Sequence, residues 1–350
     1  MEAASMRTRA KRLPFPTLAS CVLPFALAAL MAPASSLGAS AMPMHRLGSS
    51  RRQLRSTVRY WTPGRLRHAA ANLRQPIEAG DPGASASEAV ASGGPHFVPP
   101  RRPSGASASS DPVADPTQLP YRTVGLLVGR DPTGQFGCSA TVVDSPNAST
   151  ILTAGHCVRE RFWTRKAIFV PGYHDGQTPF GIFPAKVEVT TPGWLRSQND
   201  NFDEGAMVLG TNSSGQSVAD AVGAVGLATG LNPKPQTFDA YGYPASATFD
   251  SNKQWHCQSP FMGTDRSSLL DSGPPTVRIA CDMTEGASGG GWLIYGQYVN
   301  GMTSYGYKAQ PGVLYGPYFG RTVWKLYRSV RGLRSRLPRK RSRHLVIPAG

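Results

Sequence analysis

The chain contains no C-x-x-C and no H-E-x-x-H, so no familiar spacing of zinc ligands supports a metal centre, and no cofactor motif stands in its place. Acidic residues are absent from long stretches. No Asp or Glu follows Glu285, and residues 321–350 hold ten Lys and Arg against no acid. Residues 1–120 hold 14 basic side chains against 6 acidic ones, whereas residues 121–320 hold 13 against 15. The formal charge of +16 therefore belongs to the flanks. A basic face on the folded part is what phosphate recognition would need, so no nucleic-acid partner is expected. The basic end, residues 331–350, reads as a disordered solvated tail or as a contact for an anionic polymer or membrane. Large apolar residues are also scarce between 42 and 118, where Ala, Ser, Gly, Pro and Arg dominate. Such a segment buries too little apolar surface to offset its ordering entropy, and we expect a disordered propeptide or linker there.

Cysteine is sparse, at five residues. Cys21 lies in an apolar stretch, Leu13 to Met31, that follows Arg7, Arg9, Lys11 and Arg12 and precedes Ala39-Ser40-Ala41. Basic start, apolar middle and A-x-A end describe a secretory signal peptide over 1–41, with a retained membrane anchor as the rival. Pro14, Pro16 and Pro24 interrupt the stretch and favour cleavage. The remaining Cys138, Cys157, Cys257 and Cys281 suit a secreted protein, and spacing leaves all three pairings open.

From Tyr121 onward, short apolar runs alternate with Gly, Pro, Asn and Asp, without amphipathic helices between them. Strands are predicted at 123–128, 139–143, 167–170 and 206–209, and a hairpin at 292–302 turns on Gly296-Gln297. This pattern is all-β. One helix is expected at 321–330, where Val323, Leu326, Tyr327 and Val330 recur at helical spacing.

Gly286-Ala287-Ser288-Gly289-Gly290 places a serine in a turn free to aim two N–H groups at one point, as a nucleophile with an oxyanion site requires. The same residues satisfy the G-x-S-x-G elbow of α/β-hydrolases, which needs an acid and then a histidine downstream. No acid follows, and the only later histidine is His344 in the tail. Any partners of Ser288 must lie upstream. There Ile151-Leu152-Thr153-Ala154-Gly155-His156-Cys157 sets a histidine at the end of an apolar strand, and 199–209 offers Asp200, Asp203 and Glu204 before another. The residues alone leave the choice between Asp203 and Asp200 open, and Glu204 is expected in solvent.

Taken together, T-A-G-H-C, the intermediate aspartate and G-A-S-G-G resemble the chymotrypsin-like, or trypsin-like, serine peptidases, in the order His, Asp, Ser. The likeness covers about Tyr121 to Val330 and is to secreted bacterial members, the glutamyl-endopeptidase-like and trypsin-like peptidases. It implies a peptidase domain over 119–330, built of two six-stranded antiparallel barrels with the active site between them and a short C-terminal helix. It implies a monomeric endopeptidase acting on protein or peptide substrates, with His156, Asp203 and Ser288 as catalytic triad and the N–H groups of Gly286 and Ser288 as oxyanion hole. It pairs Cys138 with Cys157 and Cys257 with Cys281. It places Thr303, Ser304 and Gly306 along the substrate and Asp282 at the base of a pocket for Arg or Lys. Asp282 reads equally as a turn residue satisfied by local N–H groups. Gly291 departs from the proline of many relatives, which should alter a loop only. A non-catalytic secreted protein of the same fold, acting as an adhesin or binding module, is the alternative that an intact triad argues against.

Overall fold

Helices form where composition alone suggested disorder. The computed structural model describes residues 41–72, 95–97, 109–246, 248–268 and 270–334. It opens with β1 (Met44–Arg46), α1 (Arg51–Tyr60) and α2 (Pro63–Ala71), followed by the short strands β2 (His96–Phe97) and β3 (Asp111–Pro112). Local chemistry starts both helices. The Ser50 hydroxyl accepts from the Gln53 N–H while the Gln53 side chain accepts from the Ser50 N–H, and Thr62 caps α2 with Pro63 in its first turn.

Packing then holds the helices in place. Trp61, Leu66, Ala69 and Ala70 are buried in the same core as the barrel strands that follow. The Trp61 indole N–H donates to the Lys166 carbonyl at 2.5 Å, and the Gly137 N–H donates to the Asn72 carbonyl at 2.8 Å. The expectation of disorder over 42–118 is thus corrected for 42–72 and 109–118. The few apolar residues present cover a barrel that lies elsewhere in the sequence, so they need not form a core of their own. We expect Leu66→Ala to lower the unfolding free energy of the whole chain by about 2–3 kcal/mol in a urea titration, against no change for a disordered segment. The signal-peptide reading of 1–41 and the basic tail beyond 334 lie outside the described residues.

The first barrel contains β4 (Val124–Asp131), β5 (Gly134–Val143), β6 (Thr150–Thr153), β7 (Arg165–Pro171), β8 (Phe183–Thr190) and β9 (Gly205–Leu209). They pair antiparallel in the order β7-β4-β5-β6-β9-β8, and β8 returns to β7 to close the ring. β1 adds to β8 outside the ring, with Met44 opposite Val189. Closure buries both ends of every ladder, which suits strands as apolar as these.

The second sheet holds β10 (Gly226–Thr229), β11 (Thr237–Gly242), β12 (Trp255–Asp265), β13 (Thr276–Ala280), β14 (Gly291–Ile294), β15 (Tyr298–Met302) and β16 (Val313–Gly316). Its order is β16-β13-β12-β11-β14-β15-β10, with β2 added beyond β10 and β3 beside β12, and a bridge between Tyr305 and Tyr315 brings the chain beyond β15 back to β16. Three short helices, α3 (Gly155–Val158), α4 (Pro192–Ser197) and α5 (Val218–Val222), lie in the connections. The last helix, α6 (Arg321–Val330), buries Val323, Leu326, Tyr327 and Val330, the residues whose spacing announced it. Among the described residues no helix is long and apolar enough to cross a membrane.

Candidate active site

β6 ends at Thr153 and α3 begins at Gly155, which fixes His156 in the first turn of a short helix. Asp203 follows a 3-10 turn, Asp200–Phe202, just before β9. Its Oδ1 accepts the His156 N–H at 2.7 Å, and its Oδ2 lies 2.7 Å from His156 Nδ1 and accepts the Ser304 hydroxyl at 2.6 Å. One carboxylate therefore positions both the backbone and the ring of His156. The approach depends on Gly155, because a Cβ there would stand 2.9 Å from Asp203 Oδ1 and from the Trp194 side chain. Trp194 is fully buried, with its ring 6.1 Å from that of His156.

The neighbouring acids behave differently. Asp200 is buried, and desolvation, with the charges of Asp203 and Asp271 adding, pushes its carboxyl up to about 7 against an opposing hydrogen bond from Ser267. Glu204, expected in solvent, is fully buried, and neither carboxyl oxygen has a hydrogen-bond partner among the described residues. Burial, aided by Asp203 beside it, raises its carboxyl well above the ordinary value. The sequence missed this because its acidic neighbours and following glycine read as a loop, whereas the chain re-enters the barrel at Gly205.

Ser288 arrives from the second sheet on the turn before β14. The turn is held by Ser139 of β5, whose N–H donates to the Ser288 carbonyl at 2.7 Å and whose hydroxyl donates to the Gly286 carbonyl at 2.9 Å. Thr153 donates to the Ser139 carbonyl, and the Tyr243 N–H donates to the Ser139 hydroxyl. Ser139 thus ties the turn that carries Ser288 to the strand beside Cys138, and nothing in its sequence setting marks it. Gly286 adopts φ +91° and Gly289 φ +80°, where a side chain would be strained and would meet the Tyr243 carbonyl or Thr153. Among the described residues no acceptor takes the N–H of Gly286 or of Ser288. Gly291 does more than shape a loop: its N–H donates to Thr141 Oγ1 at 3.0 Å across the two barrels, a bond that proline could not make.

The structure pairs Cys138 with Cys157, beside His156, and Cys257 with Cys281, ahead of the turn that carries Ser288. Cys157 Sγ lies 3.7 Å from the Ser288 carbonyl oxygen. Histidine and aspartate are thus joined in the first barrel, and the disulfide beside the histidine meets the turn that brings Ser288 from the second. A family model described as Trypsin matches residues 112–322. The chain belongs to the trypsin family.

Solved structures similar to this trypsin-family chain include the thermostable serine protease AL20 from an extremophilic microorganism. It is 33% identical with a TM-score of 0.55, over 60% of this chain and 97% of that one. The protease Anisep from Arthrobacter nicotinovorans is 29% identical with a TM-score of 0.55, over 62% of this chain and 98% of that one. Among curated proteins, an extracellular metalloprotease of Bacillus subtilis (strain 168) is 27% identical over 55% of this chain and 61% of its own length. The chain thus spans less than two thirds of that relative. The relative's name speaks of a metal, but here the described residues hold one cluster of suitable spacing, Cys138, His156 and Cys157. Both its sulfurs are joined to each other, and His156 Nδ1 is engaged by Asp203. That donor set offers no thiolate and does not fit a zinc ion.

Beside Ser288 opens a cavity of about 660 Å³, lined by Ser110, Asp282, Thr303, Ser304 and Gly306 among others. Its wall is rigid: Tyr305 stacks on Tyr315 at 4.9 Å, and the Tyr305 and Tyr307 hydroxyls both donate to Asp265 Oδ2. Thr303 is buried and accepts from the Trp292 indole at 3.0 Å. Asp282 differs from the buried pocket-base carboxylate of the resemblance. It is exposed, and its Oδ1 accepts from the N–H of Ser110 at 3.0 Å and from the Ser110 hydroxyl. The reason is topological, since β3 pairs with β12 and draws the preceding residues over the cavity.

Proposed function

We propose that this chain is an exported serine endopeptidase that cleaves protein or peptide substrates through an acyl-enzyme, with His156, Asp203 and Ser288 as its triad. The observation that carries this reading is the Asp203 carboxylate, which accepts the His156 backbone N–H and meets its Nδ1, while Ser288 lines the same cavity as Ser304, the hydroxyl donor to Asp203. A serine hydroxyl is a poor nucleophile near neutral pH, so His156 takes its proton during attack and returns it to the leaving amine. Asp203 holds the tautomer that carries hydrogen on Nδ1 and stabilises the imidazolium. Negative charge developing on the substrate oxygen is met by the N–H groups of Gly286 and Ser288, and loss of one such donor costs about 3 kcal/mol of transition-state stabilisation. Water then repeats the sequence on the acyl-enzyme.

Substrate backbone adds as a strand beside Ser304 and Gly306. The Ser304 carbonyl and the Gly306 N–H have no partner among the described residues, which leaves them open to a peptide. A fluorophosphonate probe should label the chain, and peptide mapping should place the label on Ser288. An unlabelled, folded protein would instead favour the non-catalytic reading.

Preference before the scissile bond is for Arg over Lys. The cavity lining carries two carboxylates, Asp282 and Glu285, against one ammonium, Lys308. A guanidinium fork can engage a carboxylate with two N–H groups, which an ammonium cannot. Asp282→Ser should lower kcat/KM for Arg substrates by about 10- to 100-fold, the worth of a charge-assisted hydrogen bond, in a positional-scanning peptide library. Unchanged cleavage after Arg would leave Asp282 only its contact with Ser110.

A further inference from the structure

Residues 42–72 bring charge as well as structure to the first barrel. Between Ala41 and Asn72 lie seven arginines and no carboxylate. With this segment docked, Arg46 of β1 and Arg52 of α1 share a cleft of about 720 Å³ with Arg130, Arg165 and Lys166 of the barrel. A second cavity, which shares Arg52, Ser56 and Lys166 with the first, carries Arg59 and Tyr60. The Lys166 ammonium spans to the Ser56 hydroxyl at 3.1 Å, and among the described residues none of these six cations belongs to an ion pair.

Two other titratable groups line the cleft, and both are turned to protein partners. Asp131 is buried and accepts from the Thr133 N–H at 2.7 Å, and His45 Nδ1 lies 2.8 Å from Glu188. The expectation that the folded part lacks a basic face rested on counting 42–72 as disordered, and it is corrected here. Like charges gathered on one concave face repel one another and raise a positive potential that an anion would relieve.

We propose that this cleft binds a linear phosphate polymer through its phosphate oxygens alone. Arginine forks match phosphate geometry, and four of the five cations of the main cleft are arginines. Recognition of single-stranded nucleic acid would also need open aromatic faces on which bases stack. The cleft offers none: Arg65 lies 4.5 Å and Arg130 5.7 Å from the Tyr60 ring centroid, and Trp61 is buried. A bound polymer also offsets the repulsion between the docked segment and the barrel, and so tightens their union.

Long-chain inorganic polyphosphate carrying a fluorophore, titrated with the full Ser288→Ala chain and read by anisotropy, tests this. Kd should rise more than ~10-fold between 50 and 200 mM salt, as counterion release requires for several phosphate contacts. Reversal of two cations, Arg52→Glu with Arg130→Glu, should raise Kd more than ~10-fold, and the milder Arg165→Gln should raise it ~2- to 3-fold with an unchanged melting temperature. Deletion of 335–350 should leave at least half of the binding. Failure of polyphosphate to bind, indifference to both cleft variants, or complete loss on deletion of the tail would each overturn the proposal. Tighter binding of single-stranded DNA of equal charge would overturn recognition by phosphate alone.

Discussion

Replacement of either Ser288 or His156 by Ala should lower kcat/KM for peptide hydrolysis by about 10⁶-fold while leaving the melting temperature near its original value. Both residues serve one proton-transfer unit, so the double variant should be no worse than either single one. Asp203→Asn should cost about 10⁴-fold, because an amide offers its N–H where His156 needs an acceptor. Asp200 provides the control. It contacts neither ring nitrogen of His156, so Asp200→Asn should keep activity within ~10-fold at its optimum. It should nevertheless change the pH profile. Asp200 gains its negative charge near pH 7, and that charge favours the protonated imidazole nearby. Without it, the acid limb of kcat/KM should move to lower pH. Severe loss in Asp200→Asn with near-normal Asp203→Asn would exchange the two assignments.

The second large effect is on stability. Glu204 is fully buried, and its proton affinity is raised above the ordinary value of 4.5. A carboxyl with a raised folded value binds its proton more tightly in the native state. The stability it confers is complete below the unfolded value and is lost as pH rises toward the folded one, at about 1.4 kcal/mol for every pH unit. Glu204→Gln mimics the neutral acid and removes that slope. In the Ser288→Ala background, which prevents self-digestion, the two proteins should melt together near pH 4 and diverge upward, with the Gln variant the more stable at pH 8. Parallel curves from pH 4 to 8 would mean that Glu204 ionises in the folded protein at its ordinary value.

Much of this was legible in the sequence where a signal is local. The apolar runs at 123–128 and 139–143, the hairpin at 292–302 and the helix at 321–330 all depend on neighbours in the chain, and each element formed there. His156 and Ser288 stand out as candidates because a strand-end histidine and a glycine-rich turn have compact signatures. What escaped depends on partners far apart. Leu66 and Trp61 are too few to announce a core, and only the barrel they cover makes them buried. Ser110 reads as one serine of many until β3 docks it on Asp282, 172 residues away. Glu204 differs from its solvated appearance only because β9 begins at the next residue.

Ser139 sits where the two halves of the molecule are measured from one reference. Strand β5 holds the Cys138 end of the disulfide that anchors the histidine helix, and the next residue holds both carbonyls of the serine turn. The offset between histidine and serine is therefore set along β5, with Thr303 and Ser304 holding the serine turn and Asp203 from the other side, and the turn at 308–311 lies outside these contacts. That turn is free to drift in length and charge without moving the offset. A library that randomises 308–311 while keeping 137–141 and 303–307 fixed should accordingly return altered preferences far more often than dead protein, and a library of 137–141 should return the opposite.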